Sequence, residues 1–162
     1  MATAPDLSAR RAALTPDARA FTDHATGRAW TFAEIEDQAN RLAAVLAPLG
    51  AGARVGLLTF NRAEGFIALF AAAKAGVILC PLNWRAPLLE LRAVAASVGL
   101  SALIHDVDHY GLAAALAPDL PRLAMRNSGG FALPETPPVT AQLDEDAPWY
   151  LLFTSGTTGA PK

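Results

Sequence analysis

Residues 54–80, RVGLLTFNRAEGFIALFAAAKAGVILC, contain the pattern that decides the fold. The run 54–59 is apolar at most positions, which is typical of a strand buried on both faces. A helical stretch follows, in which Asn61 and Glu64 have the spacing of an N-terminal capping box. Residues 77–80 form a second apolar run. A strand, a helix and a strand in this order predict a parallel βαβ unit.

The same alternation of helices and strands continues on both sides of this unit. A long amphipathic helix begins at Thr31, whose side chain can form a capping box with Glu34, and ends at Pro48 and Gly50. The sequence also predicts a hairpin around His24 and Gly27, helices at 7–14, 61–74, 87–98 and 110–116, and strands at 102–105 and near Leu123. We therefore predict an α/β fold built from alternating βαβ units around a mostly parallel sheet.

Changes in composition predict three regions along the chain. Residues 1–126 carry the βαβ pattern and are predicted to form one α/β subdomain. Residues 127–148 are rich in Gly, Pro and acidic side chains, which is typical of an exposed connection. Residues 149–162 begin with an apolar run of their own and are predicted to start the next subdomain.

The overall composition excludes several classes of function. A net charge of −2 provides no field that would attract nucleic acid or an anionic membrane. Cys80 is the only cysteine and lies in an apolar run, so we predict a buried thiol and no disulfide within the chain. No apolar segment resembles a signal peptide or a membrane span, and we expect a cytoplasmic protein without a transmembrane segment.

His105, Asp106, Asp108 and His109 have the residue types of a zinc site. However, these residues span the end of a predicted strand and the start of a predicted helix, so their spacing does not place them on one face. Capping of the helix by Asp106 or Asp108 explains the same residues more simply. The acidic run 144–146 is predicted to be a solvated loop, and we predict no metal site.

The segment 151–162, LLFTSGTTGAPK, has the composition of an anion-binding loop. Glycine lets the backbone N–H groups approach a ligand closely, while hydroxyl side chains and a lysine add donors and positive charge. The spacing does not fit the Walker loop, in which four residues separate the first glycine from a Gly-Lys pair. A glycine- and threonine-rich surface turn is the alternative interpretation.

The whole string resembles the phosphate-binding signature of the adenylate-forming enzymes, which include acyl-CoA and aryl-CoA ligases, peptide-synthetase adenylation domains and luciferases. The similarity runs from the apolar lead-in to Pro161 and Lys162. In that family the loop closes over the β- and γ-phosphates of ATP. The resemblance therefore implies that ATP is bound by Thr154, Ser155, Gly156, Thr157, Thr158, Gly159 and Lys162.

The upstream part of the chain is also similar to this family in order and spacing. Caps and packing explain the matching residues, so we assign no catalytic residue in this chain. Gly156-Thr157-Thr158-Gly159 and Asn83 resemble the forms found in CoA ligases, where peptide-synthetase domains tend to have Ser and Asp. The similarity to the family covers residues 30–34, 39–43, 54–56 and 61–82.

The resemblance implies an acid–CoA ligase that uses ATP, Mg²⁺, coenzyme A and a small carboxylic acid. The carboxylate attacks the α-phosphate to give an acyl-adenylate and pyrophosphate, and the CoA thiol then displaces AMP to give a thioester. The family's later motifs are missing from this chain, so we expect it to be the N-terminal part of a ligase, inactive alone. A peptide-synthetase adenylation domain and a non-catalytic α/β fragment, which binds nucleotide weakly or acts as an interaction module, are the alternatives.

Overall fold

The computed structural model describes residues 3–4, 6–24, 26–126, 128–135, 143–144 and 146–153. The helices are α1 (Leu7–Leu14), α2 (Phe32–Leu46), α3 (Ala63–Ala75), α4 (Leu88–Val98) and α5 (Tyr110–Leu116). The strands are β1 (Thr3–Ala4), β2 (Arg19–Thr22), β3 (Ala29–Thr31), β4 (Arg54–Leu58), β5 (Ile78–Pro81), β6 (Ala102–His105), β7 (Arg122–Ala124) and β8 (Leu143–Asp144). Short 3₁₀ turns lie at Ala47–Leu49 and Val107–His109.

A four-stranded parallel sheet in the order β5-β4-β6-β7 lies at the centre of the fold. Gly56 of β4 stands opposite Cys80 of β5 on one side and Leu103 of β6 on the other. The remaining strands form two antiparallel pairs, β2 with β3 and β1 with β8. The predicted α/β fold with a mostly parallel sheet is confirmed, and the predicted hairpin is the β2-β3 pair.

Successive residues of each strand point to opposite faces of the sheet, so both faces carry apolar side chains. Helices cover both of these faces. Leu57 and Leu79 pack with α2 and α3 in one apolar cluster, whereas Leu58 and Cys80 pack with α4 and α5 in the other. Burial raises the pKa of the Cys80 thiol, as expected of a packed and unreactive cysteine. Gly56 lets leucine side chains pack closely on β4, since a Cβ there would lie 2.8 Å from Leu103 Cδ1 and 2.9 Å from Leu100 Cδ1 and would displace both methyl groups.

The ends of the helices are set by local side chains, and most of them follow the predicted signals. The backbone N–H of Thr31 donates to Glu34, the backbone N–H of Glu34 donates to Thr31, and the predicted capping box of α2 is confirmed. The prediction of a second capping box with Asn61 is wrong. The N-cap of α3 is Arg62, whose side chain does not cap the helix, and Glu64 accepts a hydrogen bond from Gly130 instead.

The turn at 128–131 packs against the helices. The backbone N–H of Gly130 donates to Glu64 Oε1 at 2.7 Å, and the N–H of Phe131 donates to Gln38 Oε1 at 3.1 Å. Phe131 forms an antiparallel bridge with Met125 and is 3% exposed. The predicted exposed connection is therefore buried at this point. The division of the chain at 126 and 148 stays a prediction.

A buried lysine joins three helices at the end of α3. Lys74 Nζ lies 2.5 Å from Asp6 at the N-cap of α1 and 2.8 Å from Glu36 of α2. The lysine is 3% exposed. Burial raises the pKa of the Asp6 carboxyl, but hydrogen bonds from Lys74 and from the Ala9 N–H lower this pKa by more than burial raises it. The pKa of Asp6 therefore lies below its usual range.

Among the described helices, none is both long and apolar enough to cross a membrane.

Candidate functional site

A cavity of about 980 Å³ lies where the strands β4 and β5 end. The carboxyl ends of parallel strands meet at one edge of a sheet, and ligands of open α/β folds gather at this edge. We call the cavity the edge pocket. Its walls include the aromatic side chains of Phe21, Phe60, Phe66, Trp84, Trp149 and Tyr150.

Polar side chains lie among these rings, in the loops that directly follow β4 and β5. Asn61 and Arg62 follow β4, and Asn83 and Arg85 follow β5. The exposed Arg85 guanidinium lies 4.0 Å above the ring of Trp84, whereas Arg62 donates to Asp108 at 2.7 Å. An apolar cavity with polar groups at its rim is suited to an organic ligand with an apolar body and a polar or charged end.

A buried carboxylate connects the exits of β4 and β6. Asp106 is 0% exposed and accepts from the Thr59 hydroxyl at 3.0 Å, the Phe60 N–H at 2.9 Å and the His109 N–H at 3.0 Å. Its Oδ1 also lies 2.6 Å from His109 Nδ1. Burial raises the pKa of this carboxyl, but the hydrogen bonds, led by the Phe60 N–H, outweigh burial and hold the pKa below its usual range.

Aromatic rings extend this connection to the exit of β5. The rings of Phe60 and Trp84 meet edge to face with centroids 4.7 Å apart. The His109 ring packs on both, at 4.6 Å from Phe60 and 5.8 Å from Trp84. Because Phe60 and Trp84 line the edge pocket, this cluster forms one wall of it. We call Phe60 and Trp84 the aromatic wall.

The segment that precedes the predicted phosphate loop lies on the outer side of β5. Leu79 donates its N–H to Trp149 O at 3.1 Å, and Leu151 donates its N–H to Leu79 O at 2.8 Å, which aligns Tyr150 parallel to β5. The Trp149 indole N–H donates to Leu69 O at 2.7 Å. Phe153 packs against the cluster that contains Leu82 and Cys80. Residues 149–151, which we call the edge segment, therefore run parallel to β5 toward the carboxyl ends of the strands, where the pocket lies.

The residues predicted to bind ATP follow directly in the sequence. Thr154, Ser155, Gly156, Thr157, Thr158, Gly159 and Lys162 lie outside the described residues, and their role stays a prediction.

The cluster considered for zinc is engaged in other contacts. His105 Nδ1 donates to the Asp106 carbonyl oxygen at 2.8 Å, and Asp108 pairs with Arg62. Asp106 caps the 3₁₀ turn before α5 through the His109 N–H, which confirms the predicted capping role. Within the described ranges, no group of three or more His, Cys, Asp or Glu side chains is arranged to hold a metal ion.

The edge pocket and the contacts of Asp106 with the loop after β4 were not predicted from the sequence. A signal was present, because aromatic and polar side chains come directly after two predicted strands, at Phe60–Arg62 and at Asn83–Arg85. The rule that ligands gather at the carboxyl ends of parallel strands would have pointed to these residues.

Comparison with known proteins gives consistent matches along the chain. Residues 8–162 match the family model described as AMP-binding enzyme. Feruloyl-CoA synthase from an Amycolatopsis species is 36% identical over 155 residues, which cover 94% of this chain and 31% of that protein. A non-canonical nonribosomal peptide synthetase, CymA of Salinispora arenicola, is 32% identical over 98% of this chain and 2% of its own length. The chain thus spans less than a third of these relatives.

Solved structures show the same fold. A structure described as a long-chain-fatty-acid CoA ligase from Rhodopseudomonas palustris superposes with a TM-score of 0.82 at 28% identity, over 99% of this chain and 43% of that one. The ATP-bound structure of MatB from Rhodopseudomonas palustris superposes with a TM-score of 0.71 at 27% identity, over 85% of this chain and 29% of that one.

Proposed function

Because this chain belongs to the AMP-binding enzyme family, we propose that it is part of an ATP-dependent acid–CoA ligase, of which these residues form the N-terminal region. The observation that carries the proposal is the match over residues 8–162, which includes the phosphate-loop sequence, together with the similarity to feruloyl-CoA synthase over 94% of the chain. The proposal concerns the whole protein, since the chain spans 31% of that relative.

In the proposed reaction, a carboxylic acid attacks the α-phosphate of ATP and releases pyrophosphate. The CoA thiol then attacks the acyl-adenylate, and AMP leaves as the thioester forms. The carboxylate is already ionised at neutral pH, so the first step needs no general base. The protein must instead position the reactants and neutralise the charge of the phosphates. We propose this role for Thr154, Ser155, Gly156, Thr157, Thr158, Gly159 and Lys162.

The described part of the site fits organic substrates of this kind. The edge pocket has aromatic walls and the Arg85 guanidinium at its rim, and the edge segment runs past it toward the loop sequence. Mg²⁺ would supply further neutralisation of the phosphate charges when ATP is bound. We assign no described residue to that ion.

The direct test uses the whole protein that contains this chain, and measures release of pyrophosphate from ATP and Mg²⁺ with a panel of aromatic and aliphatic carboxylic acids, with and without CoA. We expect acid-dependent release, with formation of a CoA thioester when CoA is present. Lys162→Ala should lower the rate by about a hundredfold, because it removes a positive charge beside the phosphates. Arg41→Ala, on the exposed surface of α2, is the control and should keep the wild-type rate. Absence of release with every acid would overturn the proposal.

A second candidate is an adenylation domain of the peptide-synthetase type, favoured by the similarity to CymA over 98% of this chain. The same assay separates the two. Pyrophosphate release with amino acids, but no CoA thioester with any acid, would favour this second function.

A further inference from the structure

Asp106 has more hydrogen-bond donors around it than a helix cap requires. The N-cap function uses the N–H of His109 alone. The Thr59 hydroxyl and the Phe60 N–H approach the other carboxylate oxygen from the exit of β4, and Arg62 Nε lies 3.7 Å from it. The carboxylate therefore joins two loops that are 46 residues apart in the sequence.

These contacts act on the residues that form the aromatic wall. The hydrogen bond from the Phe60 N–H fixes the backbone from which the Phe60 ring enters the edge pocket. The contact with His109 Nδ1 fixes the imidazole plane, and that ring packs against both Phe60 and Trp84. A fully buried carboxylate is thus hydrogen-bonded to the backbone of Phe60 and to the imidazole that packs against both pocket-lining rings.

Stability alone does not account for such an arrangement. Apolar side chains of similar volume often stabilise a protein as well as a buried charge does, because the charge must be removed from water. What a satisfied buried network provides is a single arrangement of the groups around it. The groups around Asp106 belong to the loops that follow β4, β5 and β6. These loops meet at the carboxyl ends of the strands, where open α/β folds bind their ligands.

We propose that Asp106 is a positioning residue of the edge pocket: by holding Thr59, Phe60 and His109 it fixes the aromatic wall, and through the wall it sets the affinity for the substrate that occupies the pocket. The inference rests on the proposed ligase function for its substrates. It goes beyond that function because it assigns a role to residues outside the phosphate loop.

The decisive variant is Asp106→Asn, which keeps the size of the side chain but removes its charge and one acceptor oxygen. Asp37→Asn is the matched control, because it makes the same chemical change on an exposed side chain of α2 that pairs with Arg41 and does not line the pocket. Thr59→Val, which removes one donor to Asp106 at nearly constant volume, provides a milder test if Asp106→Asn folds poorly.

The first measurement needs no enzymatic activity. Fluorine NMR of protein labelled with fluorotryptophan should give a resonance for each of the 3 tryptophans, and Trp84→Phe identifies the one from the aromatic wall. We expect Asp106→Asn to shift or broaden the Trp84 resonance while the resonance of Trp30, in the other apolar cluster, stays in place. An unchanged Trp84 resonance, or an equal change at all tryptophans, would overturn the inference.

The second measurement separates binding from chemistry. With the whole protein that contains this chain, KM is determined for ATP, for CoA and for the carboxylic acid that gives the fastest pyrophosphate release. We expect Asp106→Asn to raise the KM of one of these substrates by roughly tenfold and to change kcat less, since a misplaced wall weakens binding. If every KM stays within about twofold of the Asp37→Asn value, the role in affinity is overturned.

The two measurements also distinguish a failure of the proposed function from a failure of the inference about Asp106. A wild-type protein without pyrophosphate release would overturn the proposed function and the role in affinity. The Trp84 resonance would then still decide whether Asp106 holds the aromatic wall.

Discussion

Two clusters of buried charge lie at opposite ends of the strands of the parallel sheet, and they are built differently. At the end of α3, which leads into the amino end of β5, Lys74 contacts carboxylates of Asp6 and Glu36. At the carboxyl edge, Asp106 accepts from backbone N–H groups and short side chains of two loops. The first cluster joins helices through side chains alone, whereas the second fixes the backbone beside a pocket.

The difference indicates what each cluster contributes. A contact between side chains of three helices stabilises their packing, and many alternative residues could serve the same purpose. Hydrogen bonds from loop N–H groups to one carboxylate select a loop conformation, which matters where a ligand must be held. We therefore expect the Lys74 cluster to determine stability and the Asp106 cluster to determine the shape of the site.

The strongest test of this division is Lys74→Met. Removal of the ammonium leaves the Asp6 and Glu36 carboxylates facing each other, and one buried oxygen of Glu36 already has no hydrogen-bond partner among the described residues. We expect the free energy of unfolding to fall by about 3 kcal/mol, measured by urea denaturation. Arg41→Met is the matched control. It breaks an exposed pair with Asp37 on α2 and should lower stability by about 0.3 kcal/mol.

Equal losses in these two variants would contradict the importance of burial for the Lys74 cluster. In either case, we expect the Trp84 resonance to be unchanged in folded Lys74→Met protein, because the cluster lies at the other edge of the sheet.

A smaller effect is expected for Glu64, which holds the turn at 128–131. Glu64→Ala leaves the buried Gly130 N–H without its acceptor, and the free energy of unfolding should fall by about 2 kcal/mol. Glu64→Gln keeps an acceptor oxygen and removes a buried charge, so its loss should be less than about 1 kcal/mol. Urea denaturation of both variants is the measurement. A loss in Glu64→Gln as large as that in Glu64→Ala would show that charge, and not the hydrogen bond, holds the turn.

The smallest expected effect is a change in acid sensitivity. The pKa values of Asp6 and Asp106 are both lower in the folded protein than the usual carboxyl value. Their ionised forms therefore contribute stability above about pH 4, which is lost as the pH falls through the folded-state pKa. We expect Asp106→Asn to be less stable than wild type at pH 7 and the gap to narrow on acidification. Urea midpoints measured from pH 7 downward check this, and a gap of constant size would contradict it.

Local signals in the sequence were sufficient for most of the fold. The Thr31 and Glu34 pair lies within one helical turn, and Gly76, with φ 69°, ends α3 as glycine does at many helix ends. The apolar runs of β4, β5 and β6 likewise identified the parallel sheet. These signals predict structure correctly because the residues that interact, or that form one element, are close together in the sequence.

Long-range partners explain what the sequence could not provide. The spacing of Asn61 and Glu64 is that of a capping box, but Glu64 is bound instead by Gly130, which lies 66 residues further along the chain. Lys74 was assigned only to a helix, because Asp6 and Glu36 reach it from 68 and 38 residues away. For Asp106 the local cap was predicted correctly, whereas its contacts with the exit of β4 depend on the pairing of β4 with β6.

The edge segment also has a consequence for the order in which the protein is made on the ribosome. β4, β5 and β6 leave the ribosome in that order, and β4 pairs with both of the others. Trp149 and Leu151 are synthesised afterwards and attach to Leu79 through one backbone hydrogen bond each. Because domains begin to fold from the N-terminal side during synthesis, the sheet and its aromatic wall can form before the edge segment arrives. The nascent chain would thus add the edge segment to a surface that already exists.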